Sequence, residues 1–239
     1  MGTVDCRYGR LATTFAVALL AVGASAQAVA DPAITAFPGM EIRQGATVCM
    51  IGLVEPRLRV AVTSGQCGNG EAAVTDHDGH PLGTVVLARR QTADDAAADG
   101  AMSPVEYEVI ALASGVSATD VLPTGRQLKS TPGLRAQPGL PVCQFRRSVG
   151  QRCGSISSVS NGRFIVADVA VDSRDFGGPV YALTDDGAAV IVGLFEGIWG
   201  AVPEMESWQA VMQQVAIDGR AQNQPPQPSD GARMIGRHV

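Results

Sequence analysis

Short apolar runs separated by turns fill most of the chain from Thr47 onward. The segment 47–54 (TVCMIGLV) is continuously apolar, whereas 57–64 (RLRVAVTS) alternates between apolar and polar positions. Both patterns are typical of β-strands, the first of a strand buried on both faces. Asp78-Gly79 and Asn161-Gly162 stand between further apolar runs and predict hairpin turns. We therefore predict a protein built from many short strands.

One helical stripe follows the strands near the C-terminus. Within residues 203–218 (PEMESWQAVMQQVAID), apolar side chains recur at helical spacing at Trp208, Val211, Met212 and Val215. Pro203 and the acidic residues after it are typical of a first helical turn, so we predict a helix that begins at Pro203. Residues 219–239 have few apolar groups to bury and are predicted to form a disordered tail.

A stretch rich in Ser, Thr, Gly and Pro divides the strands into two blocks. We take residues 31–120 as a first barrel, 121–135 as the connection, and 136–218 as a second barrel with its helix. The 28 glycines and 14 prolines favour a turn-rich all-β protein over a helical bundle. Two blocks of strands followed by one helix predict two β-barrels packed side by side. A single β-sandwich fits the composition equally well.

The N-terminus has the layout of a secretory signal. An apolar run over residues 11–24 follows two arginines, and Ala28-Val29-Ala30 provides a cleavage box. We predict a signal peptide over residues 1–30 and a secreted or cell-envelope protein without stable membrane insertion after cleavage. A retained anchor is the alternative. The net charge of −5, which becomes more negative once residues 1–30 are removed, argues against nucleic acid as a partner.

Four cysteines remain after the predicted signal, which also carries Cys6. An even number of cysteines in an exported chain predicts two disulfides, and four cysteines allow three pairings. Pairing of sequence neighbours is the simplest of these and is the one we predict. Each bridge would contribute about 2–4 kcal/mol. A zinc site is the alternative, but the Cys-x-x-Cys spacing is missing; the predicted bridges are Cys49–Cys67 and Cys143–Cys153.

Three segments, taken in order, resemble a known family. They are 49–68 (CMIGLVEPRLRVAVTSGQCG), 105–112 (VEYEVIAL) and 173–181 (SRDFGGPVY). They are similar to the histidine, aspartate and serine segments of chymotrypsin/trypsin-like serine proteases, in particular the small secreted proteins of actinobacteria. The likeness covers most of residues 45–218. It implies an all-β fold of two six-stranded β-barrels with a C-terminal helix, and an active-site cleft between the barrels.

The resemblance also assigns positions to the catalytic groups. Gln66 stands where the family has its histidine base, Glu106 where it has the orienting aspartate, and Phe176 where it has the serine nucleophile. Arg174 replaces the oxyanion-hole glycine, a position that often needs positive φ, so we expect strain there. An amide is no base near neutral pH and a phenyl ring has no lone pair with which to attack a carbonyl. None of these positions is therefore expected to be catalytic.

The function predicted from these residues is that of a secreted, non-hydrolytic protease homologue that binds a peptide or protein ligand, as a monomer and without a cofactor. An active secreted serine endopeptidase and a structural envelope protein are the alternatives. The resemblance implies that a strand near the end of the chain lines the cleft, with its register uncertain by two residues. Its candidate binding residues are Glu196, Gly197, Ile198 and Trp199.

Two further sets of side chains are candidates, one as a nucleophile and one as metal ligands. Ser173 is the hydroxyl nearest to Phe176, but it lies off the turn that would present a nucleophile. His77 and His80 flank the Asp78-Gly79 turn, and a solvated turn is the favoured interpretation. A metal site built from these histidines with Asp76 and Asp78 is the alternative, although His-x-x-His on a turn is a weak signal. We predict no bound metal.

Overall fold

The computed structural model describes residues 34–68, 72–90, 105–130, 133–169, 172–199 and 202–222. The predicted signal, residues 1–30, lies outside this range, as does most of the predicted tail. Cys6 is therefore also outside it. No helix in these segments has the length and apolar composition needed to cross a membrane.

The first half of the chain forms one curled antiparallel sheet. Its strand order is β3-β2-β6-β7-β8-β5-β4, and its two end strands are joined directly by Ile51 and Gly52. The sheet therefore bends round into a half-barrel. A short parallel pair, β1 with β9, lies beside it. The strands are β1 (Thr35–Ala36), β2 (Glu41–Gln44), β3 (Thr47–Met50), β4 (Leu53–Glu55), β5 (Val60–Thr63), β6 (Ala73–Asp76), β7 (Pro81–Arg89), β8 (Tyr107–Leu112) and β9 (Ser117–Ala118).

The second half forms a closed six-stranded barrel and carries the helix. The order is β15-β14-β11-β12-β13-β16, and β16 also pairs with β15, which closes the barrel. The strands are β10 (Leu128–Lys129), β11 (Pro141–Arg146), β12 (Gly150–Ser160), β13 (Arg163–Ala167), β14 (Pro179–Leu183), β15 (Ala189–Trp199) and β16 (Val202–Ser207), followed by α1 (Trp208–Gln222). The predicted all-β architecture with a C-terminal helix is confirmed, and the single sandwich is excluded.

The predicted start of the helix is wrong. Residues 202–207 form β16, which pairs with both β13 and β15, and the helix begins only at Trp208. The reason is tertiary, because Met205 fills the barrel interior as part of the strand that closes it. The helix also continues to Gln222, beyond the predicted end at 218. Met212 is exposed, so the buried stripe is narrower than predicted.

The segment 121–135 is more than a connection. Leu128 and Lys129 form β10, which pairs in parallel with Ala189 and Val190 at the start of β15. Leu128 is buried in the cluster that joins the two halves. The connection is therefore attached to the outside of the second barrel.

Both predicted disulfides are present. Cys49–Cys67 joins β3 to the short 3₁₀ turn after β5, and Cys143–Cys153 joins facing residues of β11 and β12. The other two pairings and a zinc site at these cysteines are thereby excluded. The first bridge fixes the turn that carries Gln66.

A shared apolar cluster holds the two halves together. It combines side chains of β4, β5 and β8 with side chains of β11, β14 and β15, and Trp208 and Val211 anchor the helix in it. The helix also reaches the first sheet through Asp218, which accepts a hydrogen bond from the buried Tyr107 hydroxyl at 2.8 Å. Arg89 lies 3.3 Å from the same carboxylate. Burial and this hydrogen bond raise the pKa of Tyr107.

Replacing Asp218 tests this attachment. Asp218→Ala leaves a buried tyrosine hydroxyl without its acceptor, which should lower the unfolding free energy by about 1–3 kcal/mol in urea denaturation. Asp185→Ala, in the exposed turn after β14, removes the same charge and should have little effect. Equal losses in the two variants would contradict a specific role for the Tyr107–Asp218 contact.

Candidate functional site

One open cavity of about 290 Å³ brings most of the predicted site residues together. It draws on the turn after β5 and the start of β8 from the first half, and on β13, β15 and β16 from the second. The lining residues are Gln66, Glu106, Arg163, Phe176, Glu196, Gly197, Ile198 and Glu204. The predicted Arg174 does not line it. Trp199 is the last residue of β15.

Gln66 and Glu106 are joined by a hydrogen bond. The Gln66 Nε2 donates to Glu106 Oε2 at 2.7 Å. Gln66 sits on a 3₁₀ turn that Ser64 caps, because the Ser64 hydroxyl accepts from the Gln66 backbone amide at 2.9 Å. Glu106 is buried at the entrance to β8. An amide and a carboxylate thus face each other at the positions that the resemblance gives to base and aspartate.

Arg163 is the cation of the cleft and contacts three carboxylates. Its Nη2 lies 3.6 Å from Glu106, its Nη1 3.1 Å from Glu204 and its Nε 3.2 Å from Glu206. Burial lowers the pKa of Arg163, but the surrounding carboxylates, Glu206 first, outweigh burial and raise it. All three side-chain nitrogens of Arg163 are therefore used in these contacts.

Glu196 is a deeply buried carboxylate of the cavity, with 2% of its surface exposed. Neither carboxylate oxygen has a hydrogen-bond partner at normal geometry among the described residues. Burial raises the pKa of Glu196 well above its ordinary value, and the charges of Glu206 and Glu106 raise it further. The neighbouring Ser64 hydroxyl and Arg163 oppose this shift but are too weak to reverse it.

Glu206 lies behind the cavity wall. Burial raises its pKa to about 7, against the opposing influence of Arg163. It is fully buried in β16 directly opposite Arg163 in β13. Burial thus raises the pKa of two neighbouring carboxyl groups, Glu196 and Glu206.

Arg174 does not have the backbone strain that we expected. It lies in the 3₁₀ turn Ser173–Asp175 and is not among the residues with positive φ in the described part of the chain. Its amide donates to Asp172 Oδ1 at 3.0 Å, and its guanidinium binds the same carboxylate. These bonds lower the pKa of Asp172 to about 2.

The backbone amides after Arg174 are also bonded within the protein. The Asp175 amide donates to the Asp172 carbonyl at 2.9 Å, and the Phe176 amide to the Ser173 carbonyl at 3.4 Å. The Gly177 amide donates to the Phe195 carbonyl at 2.8 Å. An oxyanion hole needs such amides to point at a ligand oxygen. In this conformation these amides point into the protein.

The turn at 172–178 is stabilised by a buried ion pair and requires a glycine. Asp175 is 1% exposed and accepts from Arg146 Nε at 2.7 Å. Gly177 has a φ of 80°, and a Cβ there would lie 2.0 Å from the Thr63 hydroxyl. The Asp-x-Gly part of the motif therefore has structural reasons that do not involve catalysis.

Phe176 packs into the junction between the halves. Its ring centroid lies 5.3 Å from that of Phe195. It contacts the apolar core of the first sheet and that of the second barrel. Its carbonyl accepts from the Met50 amide at 2.8 Å. The side chain is half-buried and forms an apolar wall of the cavity.

Comparison with known proteins supplies the family. No family model matches the chain. The uncharacterised protein Rv1815 of Mycobacterium tuberculosis H37Rv is 44% identical over 204 residues, which cover 84% of this chain and 91% of the relative. This chain belongs to the Rv1815 family. The uncharacterised protein MT1863, from another strain of that species, is also 44% identical over 204 residues.

Solved structures supply the fold. A glutamic-acid-specific serine protease has a TM-score of 0.55 at 16% identity, over 77% of this chain and 97% of its own. Thermobifida fusca protease A has a TM-score of 0.53 at 20% identity, over 77% and 96%. Cellulomonas bogoriensis chymotrypsin has a TM-score of 0.55 at 17% identity, over 77% and 97%. This Rv1815 relative thus has the trypsin-like serine protease fold, as the sequence motifs implied.

The sequence missed three charged residues of this family member's cleft: Arg163, Glu204 and Glu206. Residues 203–207 were assigned to a helix, which hid the alternation of Glu204, Met205 and Glu206. That alternation has the period of a strand and places both glutamates on one face. Arg163 follows the Asn161-Gly162 turn, where Asn161 has a φ of 51° and Gly162 a φ of 79°. A hairpin there was predicted, but the pairing of its second strand, β13, with β16 was not.

The Asp78-Gly79 turn forms a separate polar cluster. Asp76 Oδ1 accepts from the Asp78 and His80 amides at 2.9 and 2.8 Å, and its Oδ2 lies 3.1 Å from His80 Nδ1. Burial raises the pKa of Asp76, but the bonds to His80 outweigh burial and lower it. The carboxylate caps the turn, which accounts for its position without an ion.

The pKa of Glu206 predicts a pH dependence of stability. A carboxyl with a raised pKa holds a proton more tightly in the folded state, so stability falls as pH rises from about 4.5 to about 7. Glu206→Gln cannot titrate. Between about pH 5 and pH 8, urea denaturation should show its unfolding free energy gaining about 1–3 kcal/mol relative to the parent. Glu55→Gln, outside the cleft, should show no such gain. Parallel curves for Glu206→Gln and the parent would contradict this assignment.

Proposed function

We propose that this protein is a secreted, non-hydrolytic homologue of trypsin-like proteases that binds a peptide or protein in its cleft. One observation carries the proposal. Among the described residues that line the cavity, none has a hydroxyl, thiol or imidazole group. The two disulfides fit an extracellular protein.

The chemistry of the cleft supports the loss of hydrolysis. Serine proteases need a nucleophile whose proton is taken by a base, and an anion that orients this base. Glu106 could orient a base, but the group hydrogen-bonded to it is the Gln66 amide. Phe176 provides only an apolar ring, and the nearby amides bond within the protein. The base, the nucleophile and the oxyanion hole are thus each disfavoured by a separate observation.

Binding remains possible because the cleft is open. The cavity lies next to Glu196, Gly197 and Ile198 on β15, and Ile198 has 46% of its surface exposed. An extended peptide binds a strand through its backbone and places side chains into adjoining pockets. An active serine endopeptidase and a ligand-free envelope protein remain the alternatives, and both make different predictions.

An activity-based probe tests the loss of catalysis. A fluorophosphonate labels an activated serine, and we expect no labelling of the secreted protein and no ester hydrolysis above background. Trypsin under the same conditions is the positive control. Labelling at Ser173 or at any other serine would overturn the proposal in favour of an active peptidase.

Restoring the missing groups tests whether the scaffold is intact. Gln66→His, Phe176→Ser and Arg174→Gly together supply a base, a nucleophile and a flexible hole position, with Glu106 left to orient the histidine. We expect weak esterase activity in this triple variant and none in any single variant, because these groups act as a unit. The matched control carries Phe176→Ala instead of Phe176→Ser, which makes the same space without a hydroxyl.

Two outcomes would contradict the repair prediction. An inactive but folded triple variant would show that the cleft has diverged beyond the replaced positions. Activity in Phe176→Ser alone would reveal a base that the cavity residues do not include, and it would contradict the assignment of Gln66.

A further inference from the structure

The cavity has more carboxyl groups than basic groups. Arg163 is the one basic side chain among its lining residues, and it contacts Glu106, Glu204 and, behind the wall, Glu206. A fourth carboxylate, Glu196, also lines the cavity. One guanidinium is therefore present for four carboxyl groups, and its close contacts are to three of them.

Glu196 is left without a bonded counter-group. The three nitrogens of Arg163 contact Glu106, Glu204 and Glu206, and no ion pair to Glu196 occurs among the described residues. The side chain is 2% exposed and makes no hydrogen bond of normal geometry there. A buried carboxylate in this state favours either a bound proton or a cation that enters the cavity.

The walls of the cavity indicate which kind of cation fits. Phe176 and the exposed Ile198 offer apolar surface beside Glu196, Glu204 and Gln66. An arginine or lysine side chain combines an aliphatic stem with a charged, hydrogen-bonding head, so it matches both kinds of surface. An aromatic ring also attracts such a head through its face.

A metal ion fits this cavity less well. Within the part of the chain that the structure describes, the one group of three side chains whose ligand atoms lie within 4.8 Å of one another is Asp76, Asp78 and His80. The cleft glutamates do not meet that spacing. A divalent cation needs several oxygen ligands at short range, which these carboxylates do not offer together.

We propose that Glu196, helped by Glu204, binds the basic side chain of a peptide at the place where the resemblance puts the reacting groups. This inference rests on the proposed peptide-binding function. In this proposal, binding of the basic side chain takes the place of catalysis. Burial raises the pKa of Glu196 while the cavity is empty, and a bound cation would lower it, so entry of the cation should release a proton to solvent.

Calorimetric titration of the full secreted protein tests the site. The probe is the peptide acetyl-Ala-Arg-Ala-amide, and its control replaces arginine by citrulline, which has the same shape but no charge. We expect the arginine peptide to bind about tenfold or more tightly than the citrulline peptide. Titrations in buffers of different ionisation enthalpy should show proton release with the arginine peptide only.

Variants of single carboxylates locate the binding. Glu196→Gln keeps the shape of the side chain and should weaken arginine-peptide binding about tenfold or more, with loss of the proton release. Glu204→Gln should weaken binding by a smaller factor, because Glu204 is more exposed. Asp185→Asn changes the charge equally in an exposed turn and should bind as the parent does. Circular dichroism would establish that each variant is folded.

Several results would overturn the proposal. They are equal binding of the two peptides, parental affinity in folded Glu196→Gln, or no binding of the arginine peptide. If methylguanidinium bound as tightly as the arginine peptide, the site would recognise a free cation, and the proposal of a peptide ligand would be wrong. Fluorophosphonate labelling is independent of these titrations: labelling with intact arginine binding would refute only the loss of catalysis, and no binding without labelling would refute only this site.

Discussion

The pairing of β13 with β16 places one guanidinium among the carboxylates of the cleft, and the acidic site depends on that contact. Arg163 lies directly opposite Glu206, and Glu204 is two residues away on the same face. Closure of the second barrel through β16 therefore brings the two glutamates to the arginine. Without it, like charges would face each other across a half-buried surface, at a cost that rises as water is excluded. The barrel and the charge balance of the cleft are parts of one arrangement.

The turn at 172–178 shows how structural requirements alone can account for part of a sequence motif. Asp175 is needed by the buried Arg146, and Gly177 is needed because any side chain would meet Thr63. Neither requirement involves a nucleophile. Phe176 adds apolar contacts to both cores where a hydroxyl would need a partner. Backbone geometry and packing therefore account for Asp175, Phe176 and Gly177 without reference to hydrolysis.

Local chemistry made part of this structure predictable. Asn161-Gly162 forms a turn because both residues accept positive φ, and neighbouring cysteines pair across short distances. Residues 203–207 were assigned wrongly, because a proline followed by acidic residues also fits the start of a helix. Only the pairing of β16 with two distant strands decides between these conformations. The partners of Arg163 were unpredictable for the same reason: they depend on which strands meet.

The free-energy cost of burying Glu196 bears on whether the cleft has a ligand. In an inert cleft, an apolar residue at this position would pack at no electrostatic cost, as Phe176 does beside it. A buried carboxyl without a bonded partner lowers the stability of the empty protein instead. Such unfavourable groups are concentrated at sites where a ligand restores the missing interaction. Glu196 lies beside an open cavity and Arg163 already contacts other carboxylates, so the proposed binding of a cation would supply the interaction that Glu196 lacks in the empty cleft.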